Sequence, residues 1–450
     1  MRKAQILYHL CKSLIMDVII IGAGAAGLMA AKELTDAGQK VIVLEARDRI
    51  GGRICSLNSQ PFSAPMEAGA EFIHGNLEVT QKLLKKAGIS YQKMSGDIWQ
   101  VLKGHWKKEN QFIEDAPLVM NRLKGLSEDI SMAEFLNKEF SDEKYSNLRK
   151  SLASYIEGYY AGNLENTSAL SFYEELQSED ENQYRVEGGY TKLMHYLENK
   201  CSEKDNLVQL STVVKDIRWR KGQVEVLDAA HHSYAARKLI VTIPLGVWLA
   251  PPQSKGAITF FPALPQKLEA ATKMGTGSAI KILLLFKNIF WQDDELNKTE
   301  DLRNFSFAIS DAPISTWWTQ LPQQTPLLTG WIAGPKAEDL KDADEETIIQ
   351  KAIDSLVSLF SLTEEELKAN LQTSYVFNWA ADPFTRGAYA YSTIGTKEAR
   401  KILMEPVDDT LFFAGEALYE GNEMGTVEAA LVSGKRVAKE VLQSEVVLNN

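Results

Sequence analysis

A β-branched run, Asp17 to Ile21, is followed by Gly22-Ala-Gly-Ala-Ala-Gly27 and then by LMAAKELTDAG, which Gly38 closes. The unbroken apolar run predicts a buried parallel strand, the next segment a helix, and VIVLE, ending at Glu45, a second strand. Further along, IWQVLKGHWKKE reads as a hairpin around Lys103-Gly104, with helices after it, one opened by the capping-box pattern Ser131-x-x-Glu134. LVQLSTVVKDIRWRKGQVEV predicts strands joined by a Lys-Gly turn, and ARKLIVTIPLGVW another buried strand. From about Thr426 the apolar positions Val427, Ala430, Leu431, Val437, Ala438 and Val441 follow helical spacing. Residues 336–347, KAEDLKDADEET, read as a solvated charged face. No internal repeat is found.

Two places in this pattern carry chemistry. In the first, a glycine-rich turn stands between a strand and a helix, with Glu45 at the end of the following strand. Gly22 permits the tight turn, Gly24 admits a pyrophosphate close to the backbone, and Gly27, after Ala26, lets helix and strand pack closely. The helix N-terminus then offers unpaired N–H groups to phosphate, and Glu45 is placed to accept from a ribose. In the second, SAIKILLLF (278–286) predicts a strand with Ile280, Ile282, Leu284 and Phe286 on one face and Ala279, Lys281, Leu283 and Leu285 on the other. Lys281 therefore interrupts an apolar face. It is either a gatekeeper on an edge strand or a buried ammonium with a function.

Composition narrows the partners. The 450 residues hold 49 Lys plus Arg against 60 Asp plus Glu, a net charge of −11. That excludes the basic footprint of a nucleic-acid protein and suits a cationic small molecule. Cys11, Cys55 and Cys201 have neither disulfide-scaffold nor zinc-site spacing and fit a reducing cytoplasm. No apolar run reaches the ~20 residues of a membrane span. Residues 1–15 interrupt their apolar part with His9 and Lys12 and read as an extension or a mis-set start ahead of Met16.

The combination GAGAAGL…EARDRIGGR resembles the FAD-binding signature of the flavin amine oxidase superfamily, which includes monoamine oxidases, polyamine oxidases and lysine-specific histone demethylases. The resemblance runs from residue 17 to 442 and implies an α/β fold. Its Rossmann-type FAD-binding domain is discontinuous (16–80, 185–260 and 381–450). Its α+β substrate domain (81–184 and 261–380) carries a mixed sheet. FAD contacts are implied at Gly22, Gly24, Ala26, Gly27, Glu45, Ala46, Arg47, Gly52 and Arg53. They continue at Gly69, Ala70 and Phe72 in PMEAGAEFIHG, at Val213 and Trp379, and at Gly415, Glu416, Thr426 and Val427 near the C-terminus. Gly69 and Ala70 are expected to be small where the backbone nears the flavin ring.

The resemblance makes Lys281 the catalytic lysine that holds a water at flavin N5. It makes Tyr389 one wall of an aromatic cage for the amine. Substrate contacts are expected from His74, Glu71 and Thr426. His74 is equally a hydrogen-bonded structural histidine, and Glu71 or Glu187 a solvated or structural glutamate. Two departures matter. Thr426 stands where monoamine oxidases place the second cage tyrosine, which leaves the cage half open for a bulkier or secondary amine. Ala388 stands where those enzymes carry a flavin-linking cysteine, so FAD is expected to bind non-covalently. The implied reaction takes an amine and O2 to an imine and hydrogen peroxide, with no nucleic-acid or membrane partner. Monomer and homodimer both remain open. An L-amino-acid oxidase and a flavin-bound interaction protein with little turnover are the alternatives.

Overall fold

The β-branched opening run becomes the middle of the first sheet. In the computed structural model, residues 16–58, 62, 64–109, 112–178, 182–204, 206–293 and 300–448 are described; the expected extension over 1–15 lies outside them. Met16–Ile21 pairs in parallel with Val41–Leu44 on one side and with Ser233–Val241 on the other. Leu207–Gln209 adds to the outside of 41–44, and Leu411–Phe413 lies parallel to the C-terminal end of 233–241. The N-terminal end of that long strand instead joins the ribbon Gln223–Asp228 and Val214–Arg220, which Thr259–Phe261 extends. Parallel strands from remote parts of the chain thus share one sheet.

One face of this sheet is covered by the helices Ala25–Asp36 and Val427–Leu448. Val18, Ile20, Leu28, Leu34, Leu431 and Val437 share a core there. The two helices nearly touch, since a Cβ on Gly434 would lie 2.2 Å from the carbonyl oxygen of Ala26. Glu428, in the first turn of the final helix, reaches sideways to accept from Val79 N (2.8 Å), Thr80 N (2.7 Å) and the Thr80 hydroxyl (2.7 Å). It therefore caps the helix Glu78–Ala87, whose own N-cap residue, Leu77, has no side-chain acceptor to offer.

The predicted strand over 278–286 is observed as Ala279–Phe286, and all eight of its residues are buried. It runs between Leu327–Ala333 and Leu371–Asn378, antiparallel to both, within a seven-stranded sheet that also takes in the hairpin Asp97–Leu102 and His105–Glu109. Parallel pairing of 97–102 with Phe305–Ser310 makes the sheet mixed. The edge-strand reading of Lys281 is therefore excluded. The predicted alternation holds: Ile280, Ile282, Leu284 and Phe286 pack on the helix Glu345–Phe360, while Leu283 and Leu285 pack with Phe62 and Met66. A separate helical core gathers Val119, Phe135, Leu152, Tyr155 and Phe172.

Packing shifts several expected boundaries. Leu83 and Leu84 of the helix 78–87 belong to the core on this face of the first sheet, and residue 80, the expected boundary, lies within that helix. Ala270, Ala271 and Met274 pack with Ile19, Ile21 and Leu403, which carries the second segment of that side beyond 260. The Ser131 side chain accepts from Glu134 N at 3.1 Å, but the reciprocal capping box forms at Thr363 and Glu366. Among the described residues no helix is long and apolar enough to cross a membrane, and no His, Cys, Asp or Glu group is arranged to hold a metal.

Candidate active site

One cavity of about 1320 Å³ is lined from the Gly22–Ala26 turn through Lys281 to an aromatic chamber formed by the second sheet and the helical module. It is larger than the roughly 300–1,000 Å³ of an ordinary ligand pocket. At its nucleotide end, a Cβ on Gly27 would sit 1.9 Å from the Gly22 carbonyl oxygen, so only glycine lets helix and strand meet there. A Cβ on Gly24 would meet nothing within 4 Å, so this turn faces open space. Gly51 N donates to Ala23 O at 2.8 Å and fastens the EARDRIGGR loop alongside. Glu45 accepts from Ala23 N (2.7 Å) and Arg47 N (2.9 Å). Burial raises its pKa above the ordinary carboxylate value despite these bonds. Ala46, Gly52, Ala70, Val213, Gly415 and Val427 also line this end. An extended dinucleotide fits a space with an open glycine turn at one end, a helix N-terminus beside it and small residues along its walls.

Four expected cofactor contacts have other principal partners. Arg47 forks onto Asp382 (2.8 and 2.7 Å) and Thr385 (2.8 Å), and lies 5.5 Å from the Phe384 ring centre. Arg53 donates to Ala388 O (2.6 Å) and to Glu416 (2.8 Å), so these two expected contacts neutralise each other. Phe72 packs its ring among His74, Phe307 and Trp318, at 5.7–6.0 Å between centres, on the substrate side. The smallness of Gly69 also has a local cause: a Cβ there would lie 1.9 Å from Arg53 O. The Trp379 indole donates to Ala68 O at 2.9 Å and holds the same segment from the other side.

Lys281 sits where the two halves meet. Its ammonium, 1% exposed as a residue, donates to Glu71 Oε2 (2.6 Å) and Gly69 O (3.1 Å) and lies 5.3 Å from the Trp318 ring centre. Glu71 was expected to contact substrate. Its oxygens are instead taken by Lys281, by Arg185 Nε (3.0 Å) and by the Trp318 indole N–H (3.1 and 3.2 Å). Burial alone would raise its pKa, but the charges of Lys281 and Arg185 outweigh that and hold the carboxyl below its ordinary range. Arg185 is fixed in turn by the carbonyls of Leu321 (2.7 Å) and Thr319 (2.9 Å). Glu187 is exposed and lies outside the cavity lining.

The chamber beyond is aromatic. Phe72, Phe112, Tyr155, Tyr159, Trp318 and Trp331 line it with Tyr389. Tyr389 donates its hydroxyl to the carbonyl of Tyr159 at 2.5 Å. His74 Nδ1 meets the Tyr159 hydroxyl at 3.1 Å, with the two rings edge to face. Burial pushes the His74 pKa down to about 4, so the ring is neutral at pH 7. Thr426 accepts from Ala429 N at 3.1 Å and starts the final helix, which aims its N-terminus into the cavity. Arg185, Trp318 and Tyr159 were not singled out from sequence. The one signal available was an arginine inside an otherwise apolar-aromatic strand, YRV.

Relatives agree with this geometry. The flavin containing amine oxidoreductase family matches residues 25–442. Human lysine-specific histone demethylase 2 is 29% identical over 462 residues, covering 94% of this chain and 53% of that protein, so the chain spans about half its length. Probable polyamine oxidase 4 of Arabidopsis thaliana is 27% identical over 459 residues, covering 93% of this chain and 85% of that one. Among solved structures, putrescine oxidase bound to putrescine superposes with a TM-score of 0.76 at 20% identity, over 96% of this chain and 99% of that one. Cyclohexylamine oxidase from Brevibacterium oxydans IH-35A gives 0.76 at 19% identity, with the same coverage. A family match over nearly the whole sequence, on a fold shared with amine oxidases, places this chain in the flavin containing amine oxidoreductase family.

Proposed function

We propose that the chain is an FAD-dependent oxidase of small-molecule primary or secondary amines. It takes a C–N bond to an imine, with O2 as electron acceptor and hydrogen peroxide as product. The observation that carries this reading is the continuity of one cavity from the glycine turn, past the buried Lys281, to the aromatic chamber. The residues that would hold FAD are the turn Gly22–Gly27, Glu45, the 51–53 loop, Val213, Trp379 and the Gly415 and Thr426–Val427 segments. Bound FAD would supply the acceptor for the hydride equivalent leaving the amine Cα. Tyr389 and Trp318 would attract and orient the amine by their ring faces. Neutral His74 adds no positive charge against it.

The arginines that line the cavity, Arg47 and Arg53, are each paired with a carboxylate. This favours an amine over an amino acid, whose carboxylate wants a free guanidinium. Alanine at 388 supports non-covalent FAD, because that wall offers no thiol for a flavin bond. The free thiols of Cys55 and Cys201 fit a cytoplasmic setting.

An anaerobic titration of the flavin absorbance with monoamines, polyamines and amino acids tests the reading. Bleaching by an amine, followed on aeration by one peroxide per amine oxidised, is expected. Bleaching by amino acids alone moves the assignment to an amino-acid oxidase, and a spectrum that nothing moves ends the case for turnover. Acid precipitation should leave the yellow colour in the supernatant; a yellow pellet overturns the non-covalent cofactor.

A further inference from the structure

The buried Lys281 in the cavity wall is not a lone cation. Its closest polar partner is the carboxylate of Glu71, at 2.6 Å, and both side chains are almost wholly shielded from water (2% and 4% exposed). A second cation, Arg185, sits 3.0 Å from the other oxygen of the same carboxylate, and the Trp318 indole N–H closes the set. Each part comes from a different segment: Glu71 from the approach to the short strand Phe72–His74, Arg185 from Gln183–Val186, Lys281 from the strand Ala279–Phe286, and Trp318 from Thr316–Trp318. Arg185 is itself held by two carbonyls, and Lys281 by Gly69 O. The carboxylate is therefore the shared acceptor of the set and decides both where the ammonium points and how much of its charge reaches the cavity.

From this geometry we infer that Glu71 is a positioning residue. It fixes the Lys281 ammonium at the cavity wall and offsets its charge there, so that the bound flavin faces a nearly neutral pair. The inference rests on the flavin reading above and deepens it. Fields in a water-excluded site are weakly screened, so adding or removing one unit charge beside a ring that gains negative charge on reduction must shift the reduction equilibrium. Glu71 lies on the cavity wall, but both of its oxygens are engaged by Lys281, Arg185 and Trp318, so it acts through the lysine rather than on substrate.

The test is the midpoint potential of the bound flavin, read by chemical reduction without any amine. Glu71→Gln keeps the size and a hydrogen-bonding oxygen but removes the anion. It should shift the two-electron equilibrium toward reduced flavin at least tenfold, about 30 mV upward. Glu71→Asp keeps the charge and should stay at the wild-type potential, which a merely structural role would not achieve. Removing one member of a buried ion pair threatens folding, whereas replacing both is tolerated. Lys281→Met combined with Glu71→Gln therefore carries the test independently. The double variant should return to the wild-type potential, while Lys281→Met alone falls at least tenfold below it. Equal shifts in E71Q and E71D, or a double variant that stays at the potential of K281M, overturn the role of Glu71. A wild-type chain that takes up no flavin overturns the cofactor reading itself, which bound flavin with unmoved potentials would leave standing.

Discussion

The two ends of the cavity are built by opposite means. At the glycine turn, the decisive contacts are local and made by backbone: Gly27 against Gly22 and Ala23 N onto Glu45, within one strand–turn–helix–strand unit. Around Lys281 the contacts are between side chains, and the partners are 210 and 247 positions apart along the chain for Glu71–Lys281 and Glu71–Trp318. A backbone-built site tolerates no extra atom. A side-chain-built site tolerates changes of size but responds to changes of charge.

This contrast orders the expected effects of substitution. The largest belongs to Gly27→Val, which forces carbon atoms into the Gly22 carbonyl. A loss of roughly 3 kcal/mol of stability is expected, together with the bound flavin. A yellow Gly27→Val protein with an unchanged melting temperature would show that the turn can yield. Next is Lys281→Met, which leaves Glu71 still bonded to Arg185 and Trp318. Flavin should be retained while its reoxidation by O2 slows by roughly 10²-fold, the usual loss for one preorganised electrostatic group. Stopped-flow reoxidation at the wild-type rate removes the lysine from the chemistry.

A smaller effect comes from a contact outside the cavity, between two helices of one core. Glu428→Ala uncaps the helix 78–87 and leaves Val79 N and Thr80 N without their acceptor. It should cost about 1–2 kcal/mol in urea unfolding. An unmoved midpoint would mean that water replaces the carboxylate.

The smallest expected effect is that of His74. Its pKa is lowered by burial from the ordinary 6.5 to about 4, so the unfolded chain takes up this proton more readily than the folded one. Its contribution to stability is present above about pH 6.5 and is lost as the pH falls toward 4. His74→Asn should flatten the acid side of the melting-temperature profile in that window, and an identical profile would place the histidine's titration elsewhere.

The same contrast explains what the sequence could reveal. The turn was legible because its partners are neighbours and because strand, glycines, helix and Glu45 occur in the order the geometry needs. Lys281 was legible as an anomaly, an ammonium on an apolar face, although its place between two strands required 327–333 and 371–378 to be known. The partners of Glu71 were not legible, because nothing near it in sequence announces Arg185 or Trp318. Arg47 was assigned to the nucleotide for the same reason, its fork on Asp382 being 335 residues away. Where helices 78–87 and 265–272 pack was not legible either, since helices that follow a sheet segment and pack back onto it do so by tertiary contact rather than by periodicity.

The lodging of Gly434 against Ala26, with Glu428 on Thr80, also has a bearing on how the protein is made. A ribosome has to translate past residue 434 before the helix Ala25–Asp36, already able to pack on Thr191–Ser202, can meet its last neighbour. Until then the strand and turn ahead of it stand half covered, with apolar surface for chaperones to hold. Early termination upstream of 427 would yield chains that leave this face of the sheet open.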